Sequence, residues 1–251
     1  MLHQRLITVL TFNDGVLFRT KLFAPDYRYT HNFVDAWLVD EIVALDITRP
    51  GNGSGTAGHS FAAVIGGIAR KCFVPLAAGG GIRTLDDARR FMALGADKVV
   101  VNTGAVERPR LIGEIAAPYG SQCVVVSIDA RRAGDRYEVY SHNGTCATGR
   151  DPADWAEEAV GEGAGEILVT SIERDGSLSG YDLDLCRRVA SRVSVPVLIA
   201  GGAGAWRHFV DGVVEGGASG VCTSNIYHFT ESSIRSAKAF MRKAGLAVRL
   251  S

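Results

Sequence analysis

The sequence has 251 residues, of which 47% are hydrophobic and 22% are charged, a composition typical of one large globular α/β domain. Lys and Arg together number 27, as do Asp and Glu, so no net charge favours a nucleic acid or an anionic membrane as a partner. No apolar run approaches the roughly 20 residues of a membrane span, and the N-terminus lacks the pattern of a signal peptide. The cysteines are scattered, without a C-x-x-C pair, which indicates reduced thiols in a cytoplasmic protein. We expect neither a metal nor a cofactor.

Eight short runs rich in apolar and β-branched residues predict eight strands. In chain order they are Arg5–Thr11, Glu41–Ile47, Val74–Ala78, Lys98–Asn102, Cys123–Asp129, Glu166–Ser171, Val195–Ala200 and Ser219–Ser224. Amphipathic stretches of helical length lie between most of them, as at Leu85–Leu94, Pro109–Tyr119, Pro152–Glu162 and Leu183–Val193. This alternation favours an α/β fold, namely one (β/α)8 TIM barrel domain over residues 1–251, with an open doubly wound sheet as the alternative.

The two halves of the chain resemble each other. Gly79-Gly80-Gly81-Ile82 follows the third strand, and Gly201-Gly202-Ala203-Gly204 follows the seventh, 122 residues later. Asn102-Thr103 and Ser224-Asn225 follow the fourth and eighth strands with the same separation. This spacing predicts a twofold half-barrel repeat with two equivalent sites.

The glycine runs indicate where those two sites lie. A glycine run directly after a strand exposes backbone N–H groups to an anion, because no Cβ blocks the approach. The common phosphate site of TIM barrels lies after strands 7 and 8, where Gly202, Thr223 and Ser224 fall. The other half offers Gly80-Gly81 with Asn102-Thr103 after its third and fourth strands. Tight turns without a ligand are the alternative, but two matched runs favour two phosphate sites.

Candidate acid or base groups lie at the ends of strands. Asp129 ends the apolar fifth strand, which favours catalysis over a structural hydrogen bond. For Asp46, at the end of the second strand, these two roles are equal alternatives. Asp175 follows the sixth strand, where orienting the backbone or a phosphate loop is favoured. Arg19 and Lys21, on a long first loop, either close over an anion or are solvated surface charges.

Four charged residues lie near the opposite ends of the strands. Arg5, Glu41, Lys98 and Glu166 begin strands 1, 2, 4 and 6 and alternate in sign. One interpretation is a salt-bridged ring without function at the face that TIM barrels use for stability. The other is a gate over a channel through the barrel.

Motifs along nearly the whole chain resemble those of one family. They include GGGI at 79–82, GADKV at 95–99, VVVSIDA at 124–130, TSIERDG at 170–176 and GGAG at 201–204. The sequence is similar to the cyclase subunit of imidazole glycerol phosphate synthase (HisF-like), the ammonia-using barrel of histidine biosynthesis.

The resemblance implies roles for individual residues. It implies that a glutaminase (HisH-like) subunit docks on the barrel bottom near Asp97 and delivers ammonia through a gate at the four charged residues. It implies that Asp129 is one of two catalytic aspartates. Its two phosphate sites fall on Gly81, Asn102 and Thr103, and on Asp175, Gly176, Gly202, Thr223 and Ser224.

Three departures lie near the expected active site. The partner of Asp129 is expected at position 11, where this sequence has Thr11, and a hydroxyl cannot replace a carboxylate in proton transfer at neutral pH. Arg19 stands where a lysine is expected, and the segment from Phe23 to Trp37 is rich in aromatic residues. We therefore expect a divergent paralogue that keeps its ammonia supply and has changed its acceptor. Similar barrels of surface-polysaccharide biosynthesis suggest that this acceptor is the acetamido group of a nucleotide-linked or related sugar, which becomes an acetamidino group.

Three other hypotheses remain open from the sequence. The first is an authentic imidazole glycerol phosphate cyclase. The second is a non-catalytic phosphosugar-binding or regulatory barrel, and the third is an isomerase of a phosphorylated sugar.

Overall fold

The structure, a computed structural model, describes residues 3–28, 39–49, 61–224 and 234–249. We number the strands of these ranges β1 (Arg5–Asn13), β2 (Val16–Lys21), β3 (Ala24–Arg28), β4 (Glu41–Asp46), β5 (Leu76–Gly79), β6 (Lys98–Val101), β7 (Val124–Ala133), β8 (Arg136–Ser141), β9 (Cys146–Ala147), β10 (Glu166–Ser171), β11 (Val197–Ala200) and β12 (Gly220–Thr223). The helices are α1 (Phe61–Ala69), α2 (Leu85–Ala93), α3 (Thr103–Glu107), α4 (Arg110–Tyr119), α5 (Pro152–Gly161), α6 (Leu183–Ala190), α7 (Trp206–Val214) and α8 (Ile234–Lys243). Asn225, part of the predicted half-barrel repeat, and residues 29–37 of the aromatic segment lie outside the described residues.

Parallel pairing closes the sheet into a barrel. The strands follow one another in the order β1, β4, β5, β6, β7, β10, β11 and β12, and β12 returns to β1 with Arg5 opposite Gly220. Each of the eight predicted runs overlaps one of these strands. The structure therefore confirms the (β/α)8 barrel and excludes the open doubly wound sheet.

Two hairpins extend the barrel strands β1 and β7 beyond the mouth. β1 turns at Asp14 and Gly15, whose φ values are +52° and +70°, and pairs antiparallel with β2. β7 pairs in the same way with β8. The expectation of a first loop at Arg19 and Lys21 was therefore wrong, because both residues lie in β2. An Asp-Gly pair between apolar residues is a strong hairpin signal, and it places the next residues in a strand.

Apolar side chains fill the barrel on both sides of its wall. The larger cluster lies between the strands and the surrounding helices and includes Phe12, Ile112 and Trp155. A smaller cluster, with Ile7, Val43 and Leu168, fills the interior. This apolar interior lies between the two ends of the barrel, where the mouth and the bottom form distinct polar sites. Among the described residues, no helix is long and apolar enough to cross a membrane.

Candidate active site

A cavity of about 610 Å³ opens at the carboxyl ends of the barrel strands. Its polar lining includes Thr11, Asp46, Asn102, Asp129, Asp175 and Thr223. The structure thus brings the candidate catalytic and phosphate-binding residues of both halves to one cavity. Its size is typical of sites that enclose a small organic ligand.

Asp129 is the carboxyl group with the most altered environment in this cavity. Ser127 Oγ donates a hydrogen bond to its Oδ1 at 3.2 Å, and Asn102 Nδ2 donates to its Oδ2 at 2.9 Å. Burial raises the pKa of Asp129 to about 7, the Ser127 bond opposes that rise, and the charge of Asp175 adds to it. Both protonation states of Asp129 are therefore populated at neutral pH, as an acid/base group requires.

Thr11 lies in the cavity wall at the end of β1. Its side chain is buried, and its hydroxyl donates a hydrogen bond of 2.6 Å to the backbone oxygen of Phe18 in β2. The Thr11 hydroxyl proton therefore forms a hydrogen bond within the first hairpin. Thr11 brings no ionisable group to this position.

Asp46 is held by its own loop. Its Oδ1 accepts hydrogen bonds from the Thr48 amide at 3.0 Å and from the Thr48 hydroxyl at 2.5 Å. The geometry favours the structural alternative for Asp46, because this carboxylate already organises the chain after β4.

The second predicted phosphate site lies in a small concavity. Asp175, Gly176, Gly202, Thr223 and Ser224 line it. A Cβ at Gly202, whose φ is +106°, would lie 2.2 Å from the oxygen of Gly180, so the close approach of two backbones requires glycine there.

Asp175 joins this concavity to the first hairpin. Its carboxylate accepts hydrogen bonds from Thr20 Oγ1 at 2.9 Å and from the Phe23 amide at 3.0 Å. Burial raises its pKa, and these two bonds and the nearby Arg19 oppose the rise. A carboxylate repels phosphate, so the contacts favour a loop-orienting role for Asp175.

The first predicted phosphate site is tied to Asp129 and to the second hairpin. Asn102 Nδ2 donates to the backbone oxygen of Ser127 at 3.1 Å as well as to Asp129. Thr103 Oγ1 accepts from the His142 amide at 2.9 Å and donates to Asn102 Oδ1 at 3.3 Å. Both side chains are thus engaged by protein groups, and the Asn102 side chain makes no capping hydrogen bond to α3, although Asn102 is its N-cap residue. Gly81 and Arg83 also line the cavity beside this site.

Two further residues near Asp129 and the first phosphate site, Ser127 and His142, were not predicted from the sequence. Ser127 lies two residues before Asp129 in one strand, so both side chains point to the same face. That spacing is a usable signal. No sequence pattern indicates that His142 lies near this site, because its position depends on how the second hairpin folds over the mouth.

The four charged residues meet at the bottom of the barrel. Arg5 bonds Glu41 at 2.7 Å and also Glu166, and Lys98 lies 2.9 Å from a carboxylate oxygen of each glutamate. Both glutamates are buried. Burial lowers the pKa of Arg5, but the two glutamates outweigh it and the pKa is raised. Each carboxylate thus bridges both cations, and we call this cluster the charged ring.

The remaining predicted residues lie near these two sites. Asp97 is exposed beside Lys98 of the charged ring, and its Oδ2 accepts a hydrogen bond of 2.8 Å from the Leu76 amide at the start of β5. In β2, Arg19 is half-buried and acts electrostatically on Asp175, whereas Lys21 is exposed. The described part of the chain contains no cluster of His, Cys, Asp and Glu able to hold a metal ion.

Comparison with known proteins identifies relatives along the whole chain. The model of a family described as "Histidine biosynthesis protein" matches residues 8–233. The "Imidazole glycerol phosphate synthase subunit HisF" of Hyphomonas neptunium is 43% identical over 254 residues, which cover 99% of this chain and 99% of that protein.

Proposed function

The chain belongs to the histidine biosynthesis protein family, and on this premise we propose that it is an ammonia-using enzyme subunit whose acceptor is an acetamido group of a phosphorylated or nucleotide-linked sugar. The acetamido group becomes an acetamidino group. The main observation in favour is the contrast between the two ends of the barrel. All four residues of the charged ring are present and paired. At the mouth, the pKa of Asp129 is about 7, and Thr11 has a hydroxyl group that donates to the backbone oxygen of Phe18.

Amidine formation suits a single acid/base group. Ammonia adds to the amide carbon, and the Asp129 carboxylate accepts a proton from the added nitrogen and passes it to the oxygen. A second transfer of the same kind releases that oxygen as water and leaves the amidine. Each transfer alternates between the two forms of one carboxyl, for which a pKa of about 7 is well matched.

The two predicted phosphate sites provide the anchor for such a substrate. Gly202 with Thr223 and Ser224 on one side, and the backbone near Gly81 on the other, flank Asp129 in the same cavity. We propose that the phosphate or diphosphate of the sugar binds at one or both, which positions the acetamido carbon at Asp129.

A glutaminase subunit is the proposed source of ammonia. The charged ring occupies the end of the barrel opposite the cavity, and the carboxylate of Asp97 is exposed at the same end. We propose that the partner docks on this face and that the charged ring opens to admit ammonia. Glutamine-dependent turnover by the two subunits together, but not by the barrel alone, is the expected result.

Isotope incorporation tests the acceptor. The purified protein is incubated with heavy-nitrogen ammonium and a nucleotide-linked acetamido sugar, and mass spectrometry follows the acetamido group. We expect replacement of its oxygen by labelled nitrogen, and a loss of at least about 100-fold in Asp129→Asn because the proton carrier is removed. Absence of label in the wild-type product would contradict the proposed acceptor.

Authentic imidazole glycerol phosphate cyclisation is the second candidate. The observation that favours it is the 43% identity with a HisF subunit over nearly the full length of both chains. It requires that a neighbouring group replaces a carboxylate at Thr11. Rescue of a histidine auxotroph that lacks its cyclase would support this candidate, and failure to rescue would count against it.

A further inference from the structure

We propose that Ser127 is a positioning residue, which together with Asn102 fixes the carboxyl group of Asp129 in the barrel mouth and favours its ionised, proton-accepting form. The inference rests on the proposed function only in that Asp129 is taken as the acid/base group. It assigns Ser127 a part that the sequence motifs did not indicate.

Two hydrogen bonds hold the Asp129 carboxyl group, one from Ser127 and one from Asn102, and we call this arrangement the clamp. Ser127 Oγ donates to Oδ1 of Asp129 at 3.2 Å, and Asn102 Nδ2 donates to Oδ2 at 2.9 Å. The donors come from β7 and from the residue that follows β6, and they approach different oxygens. Rotation of the carboxylate therefore breaks at least one bond. Both Ser127 and Asp129 are buried, at 6% and 9% exposure, and both line the cavity.

The Asn102 side of the clamp does not depend on the Ser127 hydroxyl. Asn102 is also held by the Ser127 backbone oxygen at 3.1 Å and by Thr103 Oγ1 at 3.3 Å. The Ser127 side chain faces a cavity, so its truncation leaves the wall of the barrel intact. Loss of the hydroxyl thus removes one contact to Asp129 and little else.

The pKa of Asp129 depends on the other charged and titratable groups around the cavity as well as on Ser127. Besides Asp129, the titratable and charged groups that line the cavity are Asp46, Arg49, Arg83, His142, Cys146, Asp175 and Cys222. Tyr140 pairs with Asp129 across the second hairpin, and Thr170 pairs with it across β10. Burial and the charge of Asp175 raise the pKa of Asp129, and the Ser127 bond opposes both.

A carboxyl-carbon NMR titration of the full chain tests the clamp without any substrate. The Asp129 resonance is assigned by its absence in Asp129→Asn. In Ser127→Ala we expect the Asp129 midpoint to rise by about one to two pH units, because a hydrogen bond to the charged form is lost. Ser127→Thr, which keeps the hydroxyl, is expected to titrate like the wild type. Ser171→Ala, a buried serine of β10 that does not line the cavity, is the packing control and is expected to leave the midpoint unchanged.

An Asp129 midpoint in Ser127→Ala equal to that of the wild type would overturn the inference. If that variant does not fold, Ser127→Cys provides the same test, because a thiol is a weak donor and an intermediate rise is expected. An unchanged midpoint in Ser127→Cys would then overturn the inference. A wrong acceptor is detected separately, as missing nitrogen incorporation by the wild-type protein.

Discussion

At the scale of single residues, Asp129 combines a proposed catalytic role with a cost in stability. Its folded pKa of about 7 lies above the ordinary value of 3.8, because burial disfavours the charge. Between these values the native state binds more protons at Asp129 than the unfolded state does. The contribution of Asp129 to stability is therefore greatest below about pH 4 and is lost as the pH rises through about 7.

Substitution of Asp129 by Asn removes this loss. Because the amide is uncharged at every pH, we expect Asp129→Asn to exceed the wild type in free energy of unfolding by up to on the order of 4 kcal/mol near pH 8. Near pH 4 the two proteins are expected to be similar. Urea unfolding at both pH values measures the difference. An equal difference at the two pH values would show that Asp129 does not titrate with a raised pKa.

Thr11 is bound into the hairpin in a way that a carboxylate cannot reproduce. In Thr11→Asp, an ionised oxygen would face the Phe18 oxygen to which the hydroxyl now donates at 2.6 Å. We expect the free energy of unfolding to fall by about 1–3 kcal/mol at neutral pH, since a buried acceptor loses its donor. Thr11→Ser, which keeps the hydroxyl, is the control. Equal stability of Thr11→Asp and the wild type in urea would contradict this interpretation of the site.

At the scale of elements, Gly81 and Gly202 differ in the room that the backbone leaves for a side chain. A Cβ at Gly202 would overlap the Gly180 oxygen, whereas a Cβ at Gly81 would meet nothing within 4 Å, although φ is +69°. We expect Gly81→Ala to lower the free energy of unfolding by about 1 kcal/mol through backbone strain. Gly202→Ala is expected to cost several times more and to weaken binding of inorganic phosphate. Thermal unfolding and calorimetric titration measure both effects, and equal effects of the two substitutions would contradict the predicted close approach.

The charged ring acts as one unit across β1, β4, β6 and β10. Lys98→Met leaves two buried glutamates with Arg5 alone, and we expect a loss of about 3 kcal/mol in the free energy of unfolding. The double variant Lys98→Met/Glu41→Gln removes one charge of each sign and is expected to recover part of that loss. Urea unfolding of the two variants gives the comparison. A double variant no more stable than Lys98→Met would argue against coupling within the charged ring.

The barrel strands could be predicted from the sequence far better than the two hairpins that extend from β1 and β7. Runs such as Cys123–Asp129 and Glu166–Ser171 are rich in apolar residues and bounded by turns, so the sequence pattern identifies them without tertiary information. The hairpin at Asp14-Gly15 carried a local signal that the interpretation of Arg19 and Lys21 overlooked. The approach of Ser127 to Asp129 follows from strand alternation. By contrast, the contacts of Asp175 with Thr20 and Phe23 join residues about 150 positions apart, and no local pattern encodes them.

At the scale of the whole molecule, the barrel separates the proposed entry point of ammonia from the proposed site of chemistry. The charged ring lies at one end, apolar side chains fill the middle, and the cavity with Asp129 opens at the other end. Thr11 lies at the mouth, whereas the residues of the charged ring lie at the bottom. The proposed amidination therefore requires no change in the charged ring.

The most direct test is ammonia-dependent turnover of the purified protein with two acceptors side by side. One is the nucleotide-linked acetamido sugar, and the other is the two-phosphate imidazole-carboxamide precursor of histidine biosynthesis, with an intact cyclase as positive control. We predict nitrogen incorporation into the sugar and no turnover of the imidazole precursor. Turnover of the imidazole precursor near the rate of the control, without labelling of the sugar, would contradict the account and identify an authentic cyclase.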